Sequence, residues 1–311
     1  MRRSNRAWGG IEMKLIESKA ELLPWEPGVE GVYKAIERAG RTCYRSEDKM
    51  TDGSAKGFVD RMIKSRHLSM LEHGSVYLKW YSPGIFDRVK GHTVYDYIHN
   101  PYTKSVEYLT KDSLIQEATE YRITTNYRVL IENNWLDDLQ YLCDTTEFHE
   151  MRYSFKFTCD RGIMAELTRH RAFSFAVEST RYCNYSKDKF GGELSLKMPD
   201  RSAWYGKEES KGEAYWDMLR LLDDIERVYL EAIKCGVQPQ VARDILPNAT
   251  KTEIVMTGFA SDWRYLFDLR LFGKTGAPHP DMVDLMEKAK VEAEKNGIWN
   301  DIMSCPSKFE L

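Results

Sequence analysis

Residues 152–171 join two local patterns that together restrict the fold. Arg152-Tyr-Ser-Phe-Lys-Phe-Thr158 alternates, with Tyr153, Phe155 and Phe157 on one side, as a strand with one face in a core does. Asp160 then offers a carboxylate to the free N–H groups of a first helical turn, which predicts a helix running to about Arg171. A strand that passes directly into a helix needs both kinds of layer against one apolar face. The expected class is α+β: mixed helices around a central, mostly antiparallel sheet.

Other segments fit that class. Residues 29–40 read as a helix ending at Gly40, and 54–67 as a second with Ser54 as N-cap and Phe58, Met62 and Ile63 on one face. Ser75 to Trp80 alternates as a strand, and Ser82-Pro-Gly84 breaks it. Residues 85–150 read as an inserted subregion between two core strands, with helical stretches at 125–132 and 135–142. A long helix is expected at 208–235 before Gly236, a short one at 238–247 stopped before Pro247, a helix or strand at 250–258, and helices at 260–271 and 281–296. Residues 1–12 read as a loose extension, with structure (and the true start of translation) from Met13. The organisation expected is one domain over 13–311.

Composition excludes several classes. Across 311 residues, 42% are hydrophobic and the net charge is −3, so the core can be sizeable and nucleic-acid binding would need a local basic patch. No apolar run approaches a membrane span, and the N-terminus lacks a secretory apolar region. The six cysteines form no Cys-x-x-Cys pair and no finger spacing with histidine. They read as reduced cytoplasmic thiols, and no metal is expected. No glycine-rich dinucleotide or phosphate loop is present.

The chemistry concentrates in Glu166-Leu-Thr-Arg-His-Arg-Ala-Phe-Ser-Phe-Ala-Val-Glu-Ser-Thr-Arg181. Guanidinium forks donate paired hydrogen bonds in one plane and suit phosphate oxygens. On a helix, Glu166 could share a face with Arg169 and His170 and orient both. A solvated surface ion pair is the bland alternative.

Arg169-His170-Arg171, seven residues, then Ser179 resembles the signature of the flavin-dependent thymidylate synthases. Leu71-Glu72-His73-Gly74 after His67 is similar to that family's Glu-His segment, and Arg41-Thr-Cys-Tyr44 to its Arg-x-Ser-Tyr element, with Cys43 in place of serine. Val241-Ala-Arg-Asp-Ile-Leu-Pro247 with Thr252-Glu253, and Trp263-Arg-Tyr-Leu-Phe-Asp-Leu-Arg270, resemble its later elements.

The resemblance implies that family's fold and the reductive methylation of dUMP to dTMP. Methylenetetrahydrofolate would supply the carbon and NADPH-reduced FAD the hydride, in a homotetramer with shared sites and with no cysteine nucleophile. It implies dUMP contacts at Glu166, Leu167, Thr168, Arg169, Val177, Glu178, Ser179, Thr180, Arg181, Arg243 and Arg270. It implies FAD contacts at Ser75, Arg169, His170, Arg171, Val177, Glu178, Phe259, Ala260, Ser261 and Tyr265. Catalytic roles fall on Arg270 beside the uracil, on Ser179, and on His73 near flavin and folate.

The sequence departs from the pattern in places. Ala176 and Val177 stand where the family has Asn-Glu, and Glu178 stands one place later; either the loop shifts so that Glu178 serves, or the contact is absent. Phe259 and Tyr265 replace asparagines. Two other readings remain open: a single-stranded nucleic-acid binder built on the arginines and aromatics, and an inactive nucleotide-binding relative.

Overall fold

The computed structural model describes residues 14–82, 91–110, 118–179, 185, 193–197 and 209–309. The expected extension 1–12, the turn at Lys187 to Gly192, Thr180, Arg181 and Cys183 lie outside the described residues. The strands are β1 Lys14–Ile16, β2 Lys19–Leu22, β3 Ser75–Ser82, β4 Lys104–Thr110, β5 Ala118–Asn126, β6 Arg152–Asp160, β7 Ser174–Val177, β8 Ser195–Lys197 and β9 Lys251–Phe259. The helices are α1 Gly28–Tyr44, α2 Ser54–Lys64, α3 Val94–Ile98, α4 Tyr127–Asn133, α5 Arg161–Leu167, α6 Glu209–Lys234, α7 Pro239–Ala242, α8 Ala260–Arg270, α9 Pro280–Lys295 and α10 Trp299–Ser304.

The architecture is α+β with antiparallel sheets, but it is not built on one central sheet. A four-stranded sheet has the order β2-β6-β9-β7 and a three-stranded sheet the order β3-β5-β4, both antiparallel; β1 and β8 pair in parallel. In the larger sheet Phe155 lies opposite Met256 and Phe157 opposite Ile254. These four side chains form one face, closed by Trp263 and Phe267 of α8 and by Met282, Leu285 and Met286 of α9. Each such fully buried side chain contributes roughly 1.5–3 kcal/mol. The period of two puts Ser154 and Thr257 on the other face, also in register, with their hydroxyl oxygens 2.7 Å apart. One face of this sheet is therefore a dry core, and the other is mixed: Val255 and Ala176 pack beside Ala39 of α1, while Thr257 meets His73 of the short 3-10 turn Leu68–His73.

The smaller sheet has its own core, which includes Val76, Leu78, Trp80, Tyr121 and Ile123 against α1, α2 and α4. It takes in β3 as well as strands from the region expected to be inserted after residue 84. Within it, buried Asp138 accepts from Tyr97 at 2.7 Å and pairs with His92 at 2.5 Å. A third cluster, around Tyr215, Leu219, Leu222 and Tyr229, joins α6 to β8.

Several boundaries differ from expectation for identifiable reasons. The first helix runs past Gly40 to Tyr44 and ends where Arg45 adopts φ 43°. Ser54 is the first residue of α2 and not its cap; its hydroxyl donates to Glu37 at 2.7 Å. Residues 250–258, left open as helix or strand, are strand β9. Asp160 caps α5 as expected, accepting from the Ile163 N–H at 2.8 Å, but the helix stops at Leu167. Among the described residues, no helix is long and apolar enough to cross a membrane, and no group of three or more His, Cys, Asp or Glu could hold a metal ion.

Candidate active site

Because α5 stops at Leu167, the Arg-His-Arg run lies in tight turns. The Arg169 N–H donates to the Glu166 carbonyl at 3.2 Å and the His170 N–H to the Leu167 carbonyl at 3.1 Å. Glu166 and His170 meet through a third element rather than along one helix face. Arg270, the last residue of α8, donates through Nε to His170 Nε2 at 3.0 Å and through Nη1 to Glu166 Oε2 at 3.2 Å. Burial, then the Arg270 charge, lowers the His170 pKa to about 4. Leu167 is fully buried in the sheet core, and the Thr168 hydroxyl donates to the Ala165 carbonyl at 2.9 Å. Arg169 and Arg171 are exposed, and their side chains have no partner among the described residues.

The stretch after the turns is strand β7, which the sequence did not reveal. Phe175 and Val177 pack against the sheet core, while Ala176 packs with Ala39 and Val255 beside α1. Glu178 is buried at 3% exposure. It accepts from Lys251 Nζ at 2.9 Å and Tyr185 Oη at 3.3 Å, with Arg45 at 3.8 Å. Lys251 also donates to Glu253 at 2.5 Å, and Lys156 pairs with the second oxygen of Glu253 at 2.7 Å. These two lysines overcome the burial that would raise the Glu253 carboxyl and lower its pKa to about 2. The Ser179 N–H donates to the Cys43 carbonyl at 3.0 Å, which ties the end of the signature to the end of α1.

His73 and Ser75 lie together beyond the Ser154 and Thr257 face of the larger sheet, His73 on Thr257 and Ser75 on Arg152. His73 is 2% exposed. Its Nδ1 is 2.8 Å from Thr257 Oγ1, and its Nε2 has no hydrogen-bond partner of good geometry among the described residues. Burial, then the charge of Arg152, lowers its pKa to about 3, against a small upward pull from the Phe175 backbone. Phe259, at the start of α8, has Lys104 Nζ 4.6 Å and the Arg152 guanidinium 5.4 Å from its ring centroid.

Three residues at this junction were not singled out from sequence. Arg152 opens β6, where a strand pattern hides it. Lys104 comes from β4; it pairs with Glu150 at 2.7 Å and donates to Ser261 Oγ. Glu150 in turn accepts from the Ser261 N–H at 3.0 Å at the N-terminus of α8.

Ala260 is buried in the core beneath this point. Tyr265 lies one turn on, stacked on Phe309 at 5.7 Å with Lys308 over its ring. Arg243 sits half-buried in the 3-10 turn after α7, whose neighbours Ala242 and Leu246 belong to the core around α6.

A family profile described as thymidylate synthase complementing protein matches residues 93–295. The chain belongs to that family. The matched span holds Glu166, the Arg-His-Arg signature, Arg243 and Arg270, while His73 and Ser75 precede it. Similar proteins include a flavin-dependent thymidylate synthase of Haloarcula marismortui, 32% identical over 164 residues, covering 48% of this chain and 62% of that one. A probable flavin-dependent thymidylate synthase of Paramecium bursaria Chlorella virus 1 is 29% identical over 136 residues, covering 40% and 59%. One from Mycobacterium sp. (strain JLS) is 26% identical over 261 residues, covering 80% and 71%. The chain thus spans about three fifths of the length of the first two relatives. Among solved structures, the UMP/dUMP methylase PolB from Streptomyces cacaoi bound with 5-Br dUMP has a TM-score of 0.45 and 15% identity, covering 94% of this chain and 97% of that one.

Proposed function

We propose that this chain catalyses the reductive methylation of dUMP to dTMP. Methylenetetrahydrofolate is the carbon donor and NADPH-reduced FAD the hydride source. The observation that carries this reading is the meeting of Glu166, His170 and Arg270, which come from two distant segments and match two separate elements of the family pattern. The donor set also fits a polyanionic dinucleotide and a nucleoside monophosphate: Arg169 and Arg171 offer exposed guanidinium forks with no partner among the described residues.

The roles follow from position and charge. Arg270 sits beside the uracil, where a fixed cation favours loss of the N3 proton and makes C5 more electron-rich. Glu166 to Arg169 line one side of the nucleotide and Val177 to Arg181 the other, with Ser179 as a hydrogen-bonding group; Arg181 and Arg243 neutralise the phosphate. Arg169, His170 and Arg171 face the flavin, together with Ser75, Phe259 to Ser261 and Tyr265, and His73 lies near flavin and folate. Bound FAD supplies two-electron hydride chemistry that these side chains cannot. Burial lifts Cys43 and Cys305 to about 11 and also raises Cys143 and Cys159. None of these is an activated thiolate, which supports a route without a cysteine nucleophile. The working form is a cytoplasmic homotetramer of one domain spanning 13–311.

A catalytically altered relative is the second reading, favoured by the apolar packing of Ala176 and Val177 where the family has Asn-Glu. Purified protein should be yellow, with its flavin absorbance bleached by NADPH. A colourless protein that FAD cannot reconstitute rejects the flavin reading. A yellow protein that releases no tritium from dUMP labelled at C5 supports the altered relative.

A further inference from the structure

Arg152 is a cation set in the interior with no carboxylate paired to it among the described residues. It is 6% exposed. Its Nη1 donates to the Glu72 carbonyl at 3.0 Å and to Ser75 Oγ at 3.2 Å, and its Nη2 to Ser174 Oγ at 3.5 Å. Its Nε has no hydrogen-bond partner among the described residues. A guanidinium carries five N–H donors, so the acceptors found are one carbonyl and two neutral hydroxyls.

Two carboxylates lie within its field, Glu72 and Asp262. Both are committed elsewhere. Glu72 pairs with Arg128 at 2.6 Å, and Asp262 accepts from the Phe259 N–H at 3.2 Å. Tyr77 and His73 also face it, and burial keeps both neutral near pH 7: the phenol is raised to about 12 and the imidazole lowered to about 3. The face of Phe259 gives a favourable cation–π contact. It does not replace a counter-charge, and an unpaired buried ion is strongly unfavourable. Lys104 approaches the same ring, but its charge is paired with Glu150 at 2.7 Å and Glu150 is not a partner of Arg152 among the described residues. The groups that share this environment (His73, Ser75 and Phe259) are those assigned above to the flavin side of the site.

We propose that Arg152 is the electrostatic positioning residue of the cofactor site, its unpaired charge favouring the anionic reduced flavin over the neutral oxidised one. This rests on the flavin reading. Hydride transfer from NADPH carries two electrons and one hydrogen nucleus to the oxidised ring, breaks the nicotinamide C–H bond and leaves one negative charge on the flavin. Arg152 acts through its field and through Ser75 and does not touch the reacting atoms.

The test compares wild type, Arg152→Gln and Arg152→Lys, each loaded with FAD, by equilibrium redox titration with a reference dye. Arg152→Gln should lose about tenfold in the stability of the reduced form relative to the oxidised one, about 30 mV more negative for a two-electron couple. Arg152→Lys should keep the wild-type potential, and affinity for oxidised FAD should change little in either variant. An unchanged potential in Arg152→Gln overturns the assignment, as does an Arg152→Lys as negative as Arg152→Gln, which would mark a role in shape alone. The wild type gives a second check that needs no variant. Its reduced flavin should keep the anionic absorption spectrum below neutral pH, and a neutral-form spectrum there overturns the proposal. Wild type that binds no FAD rejects the functional reading itself; wild type that binds FAD without these shifts rejects only the role of Arg152.

Discussion

Arg270 donates through Nε to Nε2 of His170 at 3.0 Å, so that ring nitrogen accepts and His170 is held as the neutral tautomer with its proton on Nδ1. The same guanidinium reaches Glu166 at 3.2 Å. One residue therefore adds to the burial that keeps the signature histidine neutral and holds the carboxylate before it in place. Replacing Arg270 with alanine should raise the His170 pKa from about 4 toward 6.5, as read by NMR titration of the imidazole. Turnover should fall by about 100- to 1000-fold, the size of effect seen when a preorganised charge is removed from a reacting centre. Flavin content should fall far less. An equal loss of both would make Arg270 a scaffold residue.

The two depressed histidines set the response to acid. His73 and His170 titrate near 3 and 4 in the folded chain against a reference of 6.5. Between those limits the unfolded chain binds protons that the folded chain refuses, so stability rises with pH there. Their contribution is complete above about pH 6.5 and is lost as pH falls through the folded values. Glu253 acts in the same direction at lower pH, its stabilisation present above 4.5 and lost toward 2. The urea midpoint should decline steadily as pH falls below 6.5. A midpoint flat down to about pH 4 would mean that both rings protonate in the folded state without cost.

Gly40 shows how a local signal can be real and still misread. Sequence places a helix stop there, yet α1 continues, because the glycine makes room for a neighbour. A Cβ at Gly40 would lie 2.4 Å from Cζ of Phe58, a ring 3% exposed and covered by Arg41 and Arg61. Gly40→Ala should destabilise the chain by about 1–3 kcal/mol through overpacking, measured by denaturant unfolding. The double variant with Phe58→Leu should recover part of the loss. A neutral or stabilising Gly40→Ala would show that the ring moves aside freely.

What could be read from sequence was what local chemistry decides. The Phe155 and Phe157 face of β6 and the Asp160 cap depend on residues at most three apart. The end of α5 does not. It goes with the contact of His170 with Arg270, about a hundred residues on, and with the pairing of Ser174 to Val177 with β9, so the last turn of the helix expected to reach Arg171 is instead a tight turn that leads into a strand. The candidate site residues were legible only through motif resemblance. Arg152 has no such signal, since its meaning depends on Glu72, Ser75, Ser174 and Phe259, brought together by the turn before β3, by β3 and β7, and by the end of β9. Lys104 was hidden for a similar reason: it lies in a region read as an insertion, and its partners Glu150 and Ser261 are distant in the chain.

Glu178 is where the sequence leaves the family pattern, and its surroundings make a sharp prediction. Its carboxylate is held by Lys251 at 2.9 Å and Tyr185 at 3.3 Å, and no part of its side chain is exposed. Lys251 in turn bridges to Glu253. The carboxylate thus pins the strand end that leads to Ser179, whose own N–H is tied to Cys43. Glu178→Gln keeps the shape and removes the charge, leaving Lys251 with Glu253 alone. It should cost about 1.5–3 kcal/mol, the worth of a hydrogen bond to a charged group. Combined with Lys251→Met the losses should be less than additive, as expected for contacting partners. If pinning is its main role, dUMP affinity in Glu178→Gln should fall less than about threefold, well under the tenfold that 1.4 kcal/mol of lost contact would give. Unchanged stability with a large loss of dUMP affinity would instead put this carboxylate on the nucleotide, as the shifted-loop reading of the sequence requires.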